Sequence, residues 1–310
     1  MPISKNHVQF IAEVSSNHHQ DLARCLQFID VAADIGCDAV KFQLFRIDQM
    51  FAPEILVTSA MHRARKTWEL PVAFLPAIAE RCQARGLLFA CTPFHLETVV
   101  ELLPYVDIFK IASYELLWDA LLVACAQTGK PVILSTGMAT LPEVQHAVTT
   151  LLMAGCARLT VLHCSSAYPT PVDEANLAAL ATLGMMAIPA SWRYRREWDV
   201  GWSDHTVSPA VILRAVLRWH ANVVEFHLDL DGSGDEFRTG HCWLPEQIIP
   251  VIQLIRDGER ADGDGIKQPA PSERADIAWR RDPSDGLRPL RETRMGWVGD
   301  GKVSRSNTEE

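Results

Sequence analysis

The feature that most constrains the fold is an eightfold alternation of short apolar runs, each of strand length, with longer stretches of helical periodicity. The runs are VQFIAE to Glu13, DAVKFQ to Gln43, LLFACT to Thr92, DIFKIAS to Ser113, PVILST to Thr136, LTVLHCS to Ser165, DVGWSD to Asp204 and NVVEFHL to Leu228. Helical patterns cover 21–35 and 71–85, and Gly36, Gly86, Gly129 and Gly155 stand near helix ends, where a left-handed residue stops the helix. Strands alternating with helices run parallel through right-handed crossovers, either as an open doubly wound sheet or as a closed barrel. Polar residues decide between them. Glu13, Lys41 with Gln43, Thr92, Lys110 with Ser113, Ser135, His163, His205 and His227 mark the C-terminal ends of the runs. An open sheet needs such residues at one switch point, whereas a barrel gathers all eight strand ends around one mouth. The expected fold is therefore an α/β (β/α)₈ TIM barrel over residues 1–262. A short C-terminal extension, 263–310, should follow as an arm in which Pro, Gly and charge replace periodicity, ending in a frayed GDGKVSRSNTEE.

The formal net charge of −9 gives no basic stripe for nucleic acid, so an anionic substrate would need local cations. The eight cysteines contain no CxxC pair and several lie within apolar runs, as buried thiols of a reducing compartment do. The N-terminus, MPISKNHVQF, lacks the apolar core of a signal peptide, and no stretch approaches the roughly 20 apolar residues of a membrane span. A soluble cytoplasmic protein without membrane or nucleic-acid partners is expected.

His205 (SDHT) and His227 (EFHLDL) end the seventh and eighth runs. Neighbouring strands lie about 5 Å apart, so two imidazoles facing the mouth can share a metal ion, against the alternative that each is hydrogen-bonded structure. Two nitrogens with oxygen ligands and open positions suit Mn²⁺ or Mg²⁺, with Glu225 as the expected third ligand. Lys41 and Lys110 sit in otherwise apolar strands, where a lysine is costly unless an anion neutralises it. With Thr92, Ser113, Ser135 and Ser203 as hydroxyl donors, the mouth suits a small phosphorylated acid, although such residues also cap helices. A Schiff-base aldolase would use a strand lysine too. Glu13 reads as an acid/base group or a hydroxyl acceptor, or else as the ion-pair partner of a lysine. Dinucleotide and P-loop glycine patterns are absent.

In order, AEVSSNHHQD, DAVKFQLF, CTPF, KIASYE, GKPVILSTGMAT, VLHCSSAYPTP, GWSDHT, VEFHLDL and DGIKQPAPSE resemble the motif series of the sialic acid synthase family, from about Phe10 to about Arg281. The resemblance implies a carbon–carbon bond-forming transferase. It would condense phosphoenolpyruvate with an amino-sugar aldehyde similar to N-acetylmannosamine, giving a nine-carbon sialic-acid-type sugar acid and phosphate. It further implies His205 and His227 as metal ligands, and Thr92, Lys110, Ser113, Ser135, Ser203 and Lys267 around phosphoenolpyruvate. Lys41, Gln43, Glu115, Tyr168 and Asp235 fall around the sugar, Glu13 is the first-strand carboxylate, and a homodimer is expected. Three departures accompany the match. NHHQ stands at 17–20 where the family often has NHNG, Ser166 replaces an asparagine, and the loop LDLDGSGDEF after His227 is short. A small antifreeze-like C-terminal domain, usual in the family, is expected to be missing. The alternatives are a related phosphoenolpyruvate-dependent aldose-phosphate synthase, the Schiff-base aldolase, and a catalytically silent sugar-binding barrel.

Overall fold

Eight parallel strands close on themselves. They are β1 (Gln9–Glu13), β2 (Ala39–Leu44), β3 (Leu88–Pro93), β4 (Ile108–Ile111), β5 (Val132–Ser135), β6 (Leu159–His163), β7 (Trp198–Asp204) and β8 (Val223–Leu228). Each pairs with the next in chain order, and β1 pairs with β8, so the barrel is complete. A further two-residue strand, β9 (Cys242–Trp243), runs parallel to the end of β8, placing Cys242 opposite His227 and Trp243 opposite Leu228. The computed structural model describes residues 7–187 and 198–297.

Strand side chains alternate between the two faces of a sheet with a period of two. One buried cluster collects Ile11, Ala39, Ala90, Ile108, Ile133, Leu162 and Val223, one residue from each strand except β7. On β7 the matching position is Gly201, in register with Leu162 and Val223. A Cβ there would lie 2.4 Å from the Val223 carbonyl oxygen and 2.6 Å from a Leu162 methyl, so only glycine fits this layer. Two residues further along, the same inward faces present Glu13, Lys41, Thr92, Lys110, Ser135, Cys164, Ser203 and Glu225. The apolar layer is therefore the floor on which a polar layer stands. The outward faces, including Phe10, Val40, Phe42, Phe89 and Phe109, pack against the helices as the main core. Full burial of each such side chain contributes roughly 1.5–3 kcal/mol.

Helix boundaries follow local chemistry. The expected 21–35 helix runs Leu22–Asp34, with the Asp21 carboxylate accepting from the Ala23 N–H. The 71–85 pattern divides into a 3₁₀ turn, Val72–Phe74, and a helix, Leu75–Arg85, that ends at left-handed Gly86 with φ 71°. Three runs extend less far as strands than their apolar patterns: β4 stops at Ile111, leaving Ser113–Glu115 as a 3₁₀ turn, β5 stops at Ser135, and β6 stops at His163.

The chain divides into compact units at 1–259 and 260–310, three residues before the expected break, within the helix Pro245–Asp262. The described part of the second unit holds two 3₁₀ turns, Pro271–Glu273 and Ile277–Trp279, and the helix Arg291–Met295. Its local order rests on Asp282, which accepts from the Arg291 N–H, and on a Trp279–Trp297 edge contact at 5.4 Å. The segment GDGKVSRSNTEE, expected to fray, lies outside the described residues. Among the described residues no helix is long and apolar enough to cross a membrane.

Candidate active site

Four charged side chains from four strands meet above the apolar floor. Lys41 Nζ is 2.9 Å from Glu13 Oε2 and 3.3 Å from Glu225 Oε1, and Lys110 Nζ is 3.7 Å from that same Glu225 oxygen. All four are buried. The two lysines are not equivalent. Burial works against the charge on Lys41, yet Glu13 and then Glu225 hold its pKa above the usual lysine value. Burial dominates at Lys110 and lowers its pKa, with Glu225 only partly opposing. Against its own burial, Glu225 is brought down to about 2 by Lys110 and Lys41. Lys41 thus has two close carboxylate partners, and Lys110 only the longer contact with Glu225.

Lys110 donates to Ser135 Oγ at 2.7 Å, and Ser203 Oγ donates to Glu225 at 3.1 Å. Ser113 Oγ accepts the Gly137 N–H at 2.9 Å, and a Cβ on Gly137 would sit 2.2 Å from Ser166 Oγ. This glycine lets the backbone approach the serines. The buried hydroxyls of Thr92 and Ser166 and one oxygen each of Glu115 and Glu225 have no protein hydrogen-bond partner. Buried polar atoms are rarely left so. Burial pushes the Glu115 carboxyl up to about 7, with Lys110 opposing.

Beside this floor stands a histidine cluster. The His205 and His227 rings lie 5.3 Å apart between centroids, and His227 lies 4.7 Å from His241. Tyr168 packs on His205 at 4.4 Å and on His241 at 4.9 Å. His205 Nδ1 donates to the Ser165 carbonyl at 2.7 Å, and His227 Nδ1 donates to Glu236 at 2.9 Å. With Nδ1 so committed, Nε2 is the atom through which either ring could bind a metal, and the His227 ring also hydrogen-bonds Cys242. These residues fit a divalent cation. One ligand atom from each of His227, Glu236, His241 and Cys242 falls within 4.8 Å of the others.

The two parts are joined by a hydrogen-bond line. Gln43 Nε2 donates to Glu13 Oε1 at 2.7 Å and to Ser15 Oγ at 3.0 Å, and Ser15 Oγ donates to Glu236 Oε1 at 2.5 Å. Glu236 is placed by Asn17, whose Oδ1 accepts the Glu236 N–H while its amide donates to the Leu228 carbonyl. Gly234 permits this, since a Cβ there would meet Asn17 Oδ1 at 2.3 Å. His18, next to Asn17, accepts the Gln20 N–H through Nδ1, and burial lowers its pKa to about 4. Behind the cluster, Asp204 accepts from the indoles of Trp202 and Trp243 and so ties β9 to β7.

Residues 28–267 match the NeuB family. The chain is 35% identical to an N,N'-diacetyllegionaminic acid synthase of Campylobacter jejuni, over 86% of this chain and 81% of that protein. It is 30% identical to a Bacillus subtilis spore coat polysaccharide biosynthesis protein, over 84% of this chain and 70% of that one. Among solved structures, an N-acetylneuraminic acid synthetase from Leptospira borgpetersenii superposes with a TM-score of 0.73 at 30% identity, covering 91% of this chain and 94% of that one. The chain belongs to the NeuB family.

In this NeuB-family chain, Glu13, Lys41, Gln43, Lys110, Ser135 and Ser203 form one connected network, and His205 and His227 stand side by side. Glu225, expected beside the histidines as a metal ligand, is instead held by the lysines, because its side chain points with them to the barrel floor. The carboxylate beside the histidines is Glu236, with one oxygen 2.9 Å from His227 Nδ1 and 3.5 Å from His241 Nε2. Asp235 faces the loops, accepting from the Trp68 indole at 3.0 Å and from Arg238. Lys267 is an exposed residue of the second unit. His163, at the end of β6, donates to the Ala175 carbonyl and serves as structure. Glu236, His241, Asn17 and Ser15 escaped the reading of the sequence. The available signal was the spacing of His227, Glu236 and His241 in one loop, beside the NHHQ departure that retains Asn17.

Proposed function

We propose that this NeuB-family protein condenses phosphoenolpyruvate with an N-acylated amino-sugar aldehyde, forming a nine-carbon sugar acid and releasing phosphate. The observation that carries this reading is the pairing of the under-compensated Lys110, between Ser135 and Glu225, with imidazoles held ready for a metal. A phosphorylated carboxylic acid needs the first, and an aldehyde that must accept a carbon nucleophile needs the second. The relatives named as sugar acid synthases support the same class.

In the proposed reaction C3 of phosphoenolpyruvate bonds to the aldehyde carbon, whose oxygen takes a proton and becomes a hydroxyl. Water adds at C2, and the C2–O bond to phosphate breaks, leaving a 2-keto acid. Lys110, with Ser113, Ser135 and Ser203, neutralises and orients the anionic donor. Thr92 supplies a further hydroxyl to it, and Lys267 belongs to the same set on the family resemblance. Glu13, fixed by Lys41 and Gln43, faces the sugar hydroxyls as acceptor or acid/base group. Glu115, Tyr168 and Asp235 complete the sugar side. A divalent metal bound by His205 and His227, Mn²⁺ or Mg²⁺, supplies Lewis-acid polarisation of the aldehyde oxygen. A homodimer in the cytoplasm belongs to the same reading.

A phosphate-release screen with phosphoenolpyruvate and a series of N-acylated hexosamines tests it. Release that depends on both substrates is expected. Absence of release across the series, from metal-loaded folded protein, would overturn the reading in favour of a silent binding barrel. Borohydride trapping of a carbonyl substrate on Lys110 would favour the Schiff-base alternative, which a burial-lowered amine also suits.

A further inference from the structure

We infer that Ser15 and Glu236 are positioning residues for the proposed reaction, joining Glu13 on the barrel floor to His227 at its mouth and fixing how the two face each other. The inference rests on the synthase reading of the site and adds two residues to it.

The chemistry of the groups sets the direction of every link. A carboxylate only accepts, so Gln43 must turn its amide nitrogen, not its oxygen, toward Glu13 Oε1 at 2.7 Å. The second proton of that nitrogen goes to Ser15 Oγ at 3.0 Å. Ser15 keeps its own single proton for Glu236 Oε1 at 2.5 Å, which can only accept it. The other Glu236 oxygen accepts from His227 Nδ1 at 2.9 Å, and His241 Nε2 lies 3.5 Å from it. From Glu13 to His227 each donor therefore meets an acceptor. The line keeps a proton on His227 Nδ1 and holds the ring in one orientation.

The backbone at Ser15 argues that the hydroxyl is what the position needs. Ser15 is buried, and its φ of 48° lies in the left-handed region, which glycine enters freely and serine enters at a cost. A glycine would make the turn after β1 without strain but would leave Gln43 and Glu236 unlinked. Glu236 is held from its other end by Asn17 Oδ1, which accepts its backbone N–H at 3.0 Å. The segments after β1 and β8 and the end of β2 thus meet at one hydroxyl. Among the described residues neither Ser15 nor Glu236 bonds to Lys110 or Ser135, so the donor anion should bind normally without them.

Two measurements test this. The first uses metal-free full-length protein carrying isotope-labelled histidine, without substrates, and a His227→Gln variant to assign the ring. An imidazole N–H bonded to a buried carboxylate gives a downfield, slowly exchanging proton resonance, which is expected for His227 Nδ1. Ser15→Gly, which relieves the backbone and removes the hydroxyl, should shift this resonance or hasten its exchange. Glu236→Leu should abolish it, and Glu236→Gln, whose oxygen can still accept, should retain it in weakened form. The second measurement is steady-state kinetics. In Ser15→Gly, kcat should fall roughly ten- to hundredfold with the phosphoenolpyruvate KM unchanged, and Glu236→Gln should retain more activity than Glu236→Leu. Wild-type kcat in folded Ser15→Gly would overturn the inference, as would a His227 resonance that neither Ser15→Gly nor Glu236→Leu alters. Should Ser15→Gly misfold, equal kcat in wild type, Glu236→Gln and Glu236→Leu would overturn it instead. A failed phosphate-release screen removes the synthase reading but leaves the substrate-free resonance result standing. An unaltered resonance removes the link and leaves the synthase reading standing.

Discussion

Lys110 Nζ reaches Glu225 Oε1 at 3.7 Å, and Lys41 reaches the same oxygen at 3.3 Å while also holding Glu13 at 2.9 Å. One carboxylate is thus divided between two lysines, and the lysine with a second partner of its own is the satisfied one. Lys110→Met should raise the phosphoenolpyruvate KM by roughly ten- to hundredfold, since a charge-assisted contact contributes about 1.5–3 kcal/mol. The barrel should stay folded, because the substitution relieves a buried, partly paired cation. Steady-state kinetics with phosphoenolpyruvate as the varied substrate measures this, and an unchanged KM would reject Lys110 as the anion-binding lysine.

Lys41 should behave in the opposite way. Lys41→Met leaves Glu13 and Glu225 buried close together with one remaining cation. Breaking a buried pair by removing one partner typically costs about 3–5 kcal/mol. A clear fall in Tm is expected, and the double variant Lys41→Met/Glu13→Gln should recover part of it by removing one stranded charge. Thermal melts of the single and double variants decide it; equal Tm values for wild type and Lys41→Met would show that Lys41 is not a strut.

Activity should require a bound dication. Exhaustive chelation is expected to abolish turnover, and readdition of Mn²⁺ to restore it. His205→Ala and His227→Ala should each lower metal occupancy, measured by elemental analysis, with far-UV circular dichroism unchanged. Full turnover in the metal-free protein would remove the metal from the reaction.

Much of this architecture is legible in the sequence, for a physical reason. Period-two alternation puts Ile11 and Glu13, or Ile108 and Lys110, on the same inward face, so an apolar strand ending in a charged residue announces both a barrel floor and its mouth. The roles of Glu225 and Glu236 are less legible. Glu225 shares a face with His227, yet a sequence does not show that Lys41 and Lys110 converge on it from across the barrel. Glu236 and His241 sit in a loop ordered by Asn17 from β1's end and by a strand of two residues, too short to carry any periodicity. Long-range hydrogen bonds place them, and those leave no local pattern.

Gly201 should tolerate nothing larger. A Cβ would meet the Val223 carbonyl oxygen at 2.4 Å and Leu162 at 2.6 Å, with rigid backbone on one side. Overpacking a well-filled core typically costs about 1–3 kcal/mol, and Gly201→Ala is expected in that range, read as a lower urea midpoint. Since Ser203 follows on the same face, its contact with Glu225 should loosen too, and phosphoenolpyruvate KM should rise with the loss of stability. A variant as stable as wild type would mean that β7 can shift away from β8.

The last prediction concerns pH. Burial holds the folded Glu115 carboxyl up to about 7, against an ordinary value of 4.5. Between those two values the unfolded chain has already released this proton while the folded chain keeps it, so raising the pH across that window weakens the fold. Below 4.5 both states hold the proton, and above about 7 both have lost it, so the effect lies between. Glu115→Gln removes this titration while keeping the shape and a polar end. The Tm of Glu115→Gln relative to wild type should therefore rise as the pH is raised from 4.5 to 7 and level off above that. Lys110 opposes the shift, so in a Lys110→Met background the glutamate should keep its proton to higher pH and the plateau should move upward with it. Melts of the four proteins across this range measure the effect. A Tm difference between Glu115→Gln and wild type that stays constant with pH would show that Glu115 is ionised like a surface glutamate, and that its orphan oxygen faces water.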